Sequence, residues 1–150
     1  MFDLFISAFA TFFVVIDPPG CAPIYASLTN GATAAQRRSM AIRASLIAAA
    51  ILFVFALFGE KLLAALHIEL NSFRIAGGIM LFLIAIDMVF EKRTERREER
   101  AAKIIETPEV EDVSVFPMAM PMIAGPGSIA SVMLLMSQNE GPDRSIVVLA

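Results

Sequence analysis

Two short runs concentrate the residues of this 150-residue chain that could bind a small polar solute. The first is Ile16-Asp17-Pro18-Pro19-Gly20-Cys21-Ala22-Pro23 and the second is Ile123-Ala124-Gly125-Pro126-Gly127-Ser128. Each places proline and glycine inside a stretch otherwise apolar enough for a bilayer. Proline removes a backbone donor, glycine relaxes the chain, and the helix breaks. In hydrocarbon such a break is tolerated only against protein or beside a wet cavity. The half-helix after a break presents N–H groups and a partial positive charge, and the half-helix before it ends in free carbonyls. Such ends can hold the carboxylate and the ammonium of a small zwitterion. Gly20–Ile24 and Gly127–Ala130 are the two anion-facing candidates, with Pro23 suited to a first helical turn and Ser128 to an N-cap.

Asp17 is the only carboxylate at either break. A carboxylate at that depth is costly unless it pairs or is protonated. Two readings stand side by side. Asp17 could hold a substrate ammonium, a coupling proton or Na+, or it could accept bonds from the N–H groups freed by Pro18-Pro19-Gly20 and lock the turn. Tyr25 follows the first break and either lines a pathway through its hydroxyl or packs. Cys21, the single cysteine, is small enough for a crowded break and excludes an internal disulfide. No catalytic set is found: His-Glu-x-x-His, Gly-x-Ser-x-Gly and clustered histidines are all missing, and Ser128 has no evident base. No metal, cofactor or nucleic-acid partner is expected.

The elements that must position these residues are membrane helices. The chain is 57% hydrophobic, above the roughly 45–50% of soluble domains. No charge falls in Leu4–Ile16 or Ala44–Phe58, whereas Glu91–Asp112 is mostly charged or polar. The net charge of −3 lies mainly in that stretch. Leu4–Leu28 reads as one discontinuous span, two half-helices meeting at Asp17–Ala22. Asn30-Gly31-Ala32-Thr33 is a turn, with Thr33 an N-cap for a second span over Met40–Phe58. Gly59-Glu60-Lys61 marks the far interface, Leu62–Leu66 is an amphipathic extension, and His67 is interfacial. A third span covers Phe73–Phe90. Within it Arg74 reads as an interfacial anchor or a salt-bridge partner, Gly77 and Gly78 as a close-packing surface, and Asp87 as an anchor or packing partner near one end. The interleaved charges of 91–112 suit a solvated loop or helix. A fourth span, Val113–Ser137, carries the second break, and Ser145–Ala150 begins a fifth.

Lysine and arginine sit mainly in the loops after the first and third spans, which puts the N-terminus outside and the 91–112 loop in the cytoplasm. Superposing Pro19-Gly20 on Pro126-Gly127 aligns Cys21 with Ser128 and Asp17 with Ala124. Three spans separate the two starts, so the second copy enters from the opposite side. The expected fold is an all-α polytopic helical bundle with discontinuous helices and a 3+3 inverted-topology repeat. Residues 1–90 form the first repeat and 113–150 the start of a second, truncated one.

Three motifs now carry a resemblance: Asp17-Pro18-Pro19-Gly20 with Pro23, Arg74-Ile75-Ala76-Gly77-Gly78, and Pro117-Met118-Ala119-Met120-Pro121 leading into Ala124-Gly125-Pro126-Gly127-Ser128-Ile129. Over essentially its whole length the chain resembles the MarC family of bacterial inner-membrane proteins, within the LysE-like transporter group. The resemblance implies a multi-pass inner-membrane protein and movement of small neutral amino acids such as glycine and alanine. The reading is therefore a secondary transporter, as an exporter or otherwise. Its partners are the lipid bilayer, a small zwitterionic substrate and a coupling proton or Na+, with oligomeric state open. The alternatives are a passive channel or pore, which uses the same broken helices, and a membrane protein with no transport role.

Overall fold

A computed structural model describes residues 2–90 and 112–139, together with positions 98, 99, 102, 141 and 147. Most of the charged stretch 91–112 and of the apolar run 145–150 lies outside the described residues. Those described form five helices and no strand. They are α1 (Phe2–Ile16), α2 (Pro18–Leu28), α3 (Ala34–Ala65), α4 (Leu70–Val89) and α5 (Pro126–Gln138), with an irregular helical segment, Ser114–Ile123, before α5. Phe2–Leu28, α3 and α4 are each long and apolar enough to cross a membrane, and Ser114–Ile123 with α5 is a fourth such unit bent by 53°.

The turn between α2 and α3 forms as its residues dictate. Thr33 accepts from the Gln36 N–H at 3.3 Å while its own N–H donates to Gln36 Oε1 at 2.9 Å, a capping box. The helix that carries the second span, α3, is 32 residues long in all and runs without a stop through Gly59, Glu60 and Lys61 into the expected extension, ending at Ala65. His67 then adopts a left-handed conformation, φ 56°. The His67 and Ile68 N–H groups bond back to Ala64 and Leu63 at 3.1 and 2.9 Å, closing the helix end.

The thirteen residues of α5 are the centre of the assembly. Buried side chains occur all round it, from Ser128 through Ala130–Leu134 to Met136 and Ser137, as suits a helix that is largely apolar on every face. Small residues let the neighbouring helices close on it. A Cβ on Gly59 of α3 would lie 2.9 Å from Met133, and one on Gly77 of α4 would lie 3.0 Å from Leu134. Between membrane helices such close packing replaces a hydrophobic drive. Gly78, expected to share this role, faces open space. The outer faces are apolar: Phe5, Phe9 and Phe13 stack along α1 with centroids 6.2 and 6.1 Å apart. Ile75, Ile79, Phe82 and Leu83 of α4 are likewise exposed.

Candidate functional site at the two helix breaks

The first break is one residue wide, not six. Asp17 alone leaves the helical region, at φ 57° and ψ 66°, a left-handed conformation that aspartate tolerates better than most side chains. Helical bonds resume at once on either side: Asp17 N–H donates to Phe13 O and Cys21 N–H to Asp17 O, both at 3.0 Å. Pro18 and Pro19 have no N–H, and Gly20 N–H donates to Asp17 Oδ1 at 3.1 Å. The first four positions of α2 therefore keep no spare donor, and the expected anion-facing end at Gly20–Ile24 does not form there. Pro23 sits in the interior of α2 and outside its first turn. Gly20 is required by this geometry, since a Cβ would fall 2.2 Å from Asp17 Oδ2.

The second break is wider. Phe116 and Met120 are extended, at φ −127° and −134°, as residues before proline prefer. The Phe116–Pro117 and Met120–Pro121 peptide bonds are cis. Wide turns carry Met118 N–H to Val113 O at 3.3 Å and Ala124 N–H to Ala119 O at 2.9 Å. Gly125, and not Ser128, occupies the N-cap of α5. The Ser128 hydroxyl instead donates backwards to Ile123 O at 2.7 Å. Pro126 is exposed and Gly125, Gly127 and Ser128 are buried. A Cβ on Gly125 would meet Pro121 O at 2.4 Å.

The two breaks meet. A Cβ on Gly127 would lie 3.2 Å from Val15 Cγ1 and 2.8 Å from Ile84 Cδ1, so the end of α1 and the last turns of α4 close over α5 at its start. Cys21 and Ile24 of α2 share a buried cluster with Met118, Met122 and with Met40 and Ala44 of α3. Beside it lies a cavity of about 320 Å³ lined by Ile16, Pro18, Cys21, Tyr25, Ala44 and Met118, among others. This is the small end of the range for ligand pockets. Its polar groups are mostly engaged: Cys21 Sγ donates to Ile16 O at 3.4 Å, and the Tyr25 hydroxyl donates to Arg37 O. Of the expected site residues, Pro18, Cys21 and Tyr25 line this cavity. Asp17 adjoins it in sequence, and Pro19, Gly20, Pro23, Gly125, Pro126, Gly127 and Ser128 lie outside its lining, whereas Ile123 at the edge of the second break is part of it.

Other residues hold the frame. The Arg74 guanidinium donates to the Ser137 carbonyl and, at 3.3 Å, to its hydroxyl. It thus ends α5 by binding the carbonyl end of the helix, a favourable place for a cation. Sequence reasoning missed Arg43 and Asp112, which pair at 2.6 Å across 69 positions. Ser114, whose N–H donates to Asp112 Oδ1 at 2.9 Å, holds the Asp112 carboxyl below its ordinary range, partly offset by burial and helped by Arg43. No group of three or more His, Cys, Asp and Glu side chains among the described residues could hold a metal ion.

The family described as "MarC family integral membrane protein" matches residues 2–150. A UPF0056 membrane protein of Methanocaldococcus jannaschii is 39% identical over 97% of this chain and 71% of its own length. The UPF0056 membrane protein YvbG of Bacillus subtilis is 36% identical over 94% and 67%, respectively. For the UPF0056 membrane protein YhcE of Escherichia coli the figures are 35%, 89% and 61%. The chain thus spans about three-fifths to seven-tenths of the length of these relatives. No solved structure matches it.

Proposed function

The chain belongs to the MarC family of integral membrane proteins, and from that premise we propose that it is a secondary transporter of small neutral amino acids such as glycine and alanine. The observation that carries this reading is the meeting of two interrupted helices inside the bundle, with Val15 at the first break seated against Gly127 at the second. Interrupted helices in corresponding places are the best pointer to a transporter site. A cavity beside them, mostly lined by small and apolar groups, favours a short side chain. The donors at the start of α2 are already used by Asp17, so in this reading the first break faces the substrate ammonium or a coupling proton or Na+. The carboxylate falls to the second break.

Residues 1–90 and 113–150 belong to two inverted repeats in this proposal, and alternating access rocks one against the other. The membrane is the bacterial inner membrane, with the N-terminus outside and residues 91–112 in the cytoplasm. The test is counterflow of labelled glycine and alanine in proteoliposomes of the full-length protein. Saturable counterflow that falls in Asp17→Ala supports the proposal. Flux without saturation or counterflow would make the protein a pore, and equal flux in wild type and variant would remove Asp17 from the mechanism.

A further inference from the structure

Two cavities lie in series between the same three elements. The outer one, of about 550 Å³, is lined by Thr29 at the end of α2, by Ser39, Met40 and Arg43 of α3, and by Asp112 and Val113, among others. The inner one is the cavity of about 320 Å³ at the breaks, where Tyr25 of α2, Ala44 of α3 and Met118 stand. On each element the step from one cavity to the other takes four or five residues: Thr29 to Tyr25, Met40 to Ala44, Val113 to Met118. Met40 and Val113 form the partition. They line the outer cavity, are 7% and 3% exposed, and share a buried cluster with Cys21, Ala44 and Met118 of the inner lining. A methionine and a valine make a thin seal, and the unbranched methionine repacks readily.

The outer cavity also carries an ion pair. Arg43 Nη1 and Asp112 Oδ2 are 2.6 Å apart, Arg43 Nη2 donates to Ser39 at 3.4 Å, and Asp112 Oδ1 accepts from the Ser114 N–H at 2.9 Å. The two side chains are 58% and 42% exposed, so water reaches both and the pair is weakly held. Each partner stands beside one half of the partition. Arg43 lies three residues from Met40, on the same side of α3, and Asp112 directly precedes Val113. Arg43 is also the last charge before the uncharged run Ala44–Phe58, which sets this cavity where water gives way to hydrocarbon. Its volume falls within the roughly 300–1,000 Å³ of small-molecule sites.

We propose that the outer cavity is a recognition site for a small zwitterion, the α-amino acid itself, read by Arg43 and Asp112 together. The ligand carboxylate takes the Arg43 guanidinium, whose planar fork suits it, and the ligand ammonium takes the Asp112 carboxylate. Binding parts the ion pair and releases Met40 and Val113, which opens the way to the inner cavity. This rests on the transport reading above. Two opposite charges side by side also reject half-ligands. A simple carboxylate leaves Asp112 without a partner, and a simple ammonium ion leaves Arg43 without one.

The test uses the full-length protein in lipid nanodiscs, with labelled glycine as the probe and acetate and methylammonium as competitors. Neither competitor should displace glycine from wild type. Arg43→Gln and Asp112→Asn should each weaken glycine binding about 5-fold, the scale of one exposed charge contact. Acetate should then compete in Asp112→Asn and methylammonium in Arg43→Gln, an exchange that a merely structural pair would not produce. Arg43→Lys, which keeps the charge, should retain part of the binding. Glycine affinity equal in wild type and both neutral variants, or no glycine binding at all, overturns the proposal. A second readout is independent of transport: modification of Cys21 by a charged thiol reagent, followed by mass spectrometry. Parting the pair should speed it about 5-fold in both neutral variants, and an unchanged rate overturns the coupling to the partition. Glycine binding with this charge signature but no counterflow removes the transport reading and leaves the site. Counterflow with binding indifferent to both variants removes the site and leaves the transport reading.

Discussion

Cys21 and Ser128, 107 positions apart, make the same contact. Each side chain donates to the carbonyl five residues before it, Cys21 Sγ to Ile16 O at 3.4 Å and Ser128 Oγ to Ile123 O at 2.7 Å. In both places a proline-glycine pair has removed or displaced the N–H that would normally serve that carbonyl. A small side chain with one polar hydrogen takes its place. Ser128→Ala should therefore destabilise by about 1 kcal/mol, the net value of one hydrogen bond. Cys21→Ser should be tolerated, because a hydroxyl fulfils the same role. Thermal unfolding in detergent compares the two.

Gly20 and Gly78 offer a paired test of the first break. Gly20→Ala drives a methyl group into the Asp17 carboxylate, breaking the cap and costing roughly 1–3 kcal/mol. Gly78→Ala meets nothing within 4 Å and should be neutral or slightly stabilising, by up to about 1 kcal/mol from helix propensity. The unfolding midpoints should separate the variants in opposite directions from wild type.

Removing Arg74 should loosen the end of α5. Arg74→Ala leaves the Ser137 carbonyl without its charged donor, a loss of roughly 1.5–3 kcal/mol. Arg74→Lys should recover only part, because an ammonium cannot present two donors in a fixed fork. Hydrogen exchange at the amides of α5, compared among the three proteins, would read the effect locally.

Asp112 predicts a small acid limb. Its folded-state pKa is lowered by Ser114 and Arg43, so its contribution is complete above the ordinary value of 3.8 and is lost as pH falls through the lowered one. The effect should stay below about 1 kcal/mol, because both partners of the Arg43 pair are substantially exposed. Asp112→Asn should remove this limb from the pH dependence of thermal unfolding, lowering the neutral-pH value by the same small amount and leaving the acid value unchanged.

The membrane class and the positions of the breaks were legible because their causes are local. Proline lacks an N–H wherever it occurs, and an uncharged run such as Ala44–Phe58 suits hydrocarbon without reference to any neighbour. Thr33 and Gln36 likewise cap α3 through a contact three residues long. The form of each break was less legible. Asp17 uses its own side chain to satisfy Gly20, so the first interruption shrinks to a single residue and loses its donors. The second widens around Phe116 and Met120, where extended residues precede two prolines.

By itself the sequence determined where helices can form, where they must break and which residue types stand at the breaks. Only the tertiary structure decided which helix is central, that Arg74 closes the end of α5, and that Arg43 pairs with Asp112. Backbone donors and residue charge act over a few residues. Helix depth and facing are set by distant notches, Gly77 against Leu134 and Gly127 against Val15 and Ile84, whose partners no local spacing reveals.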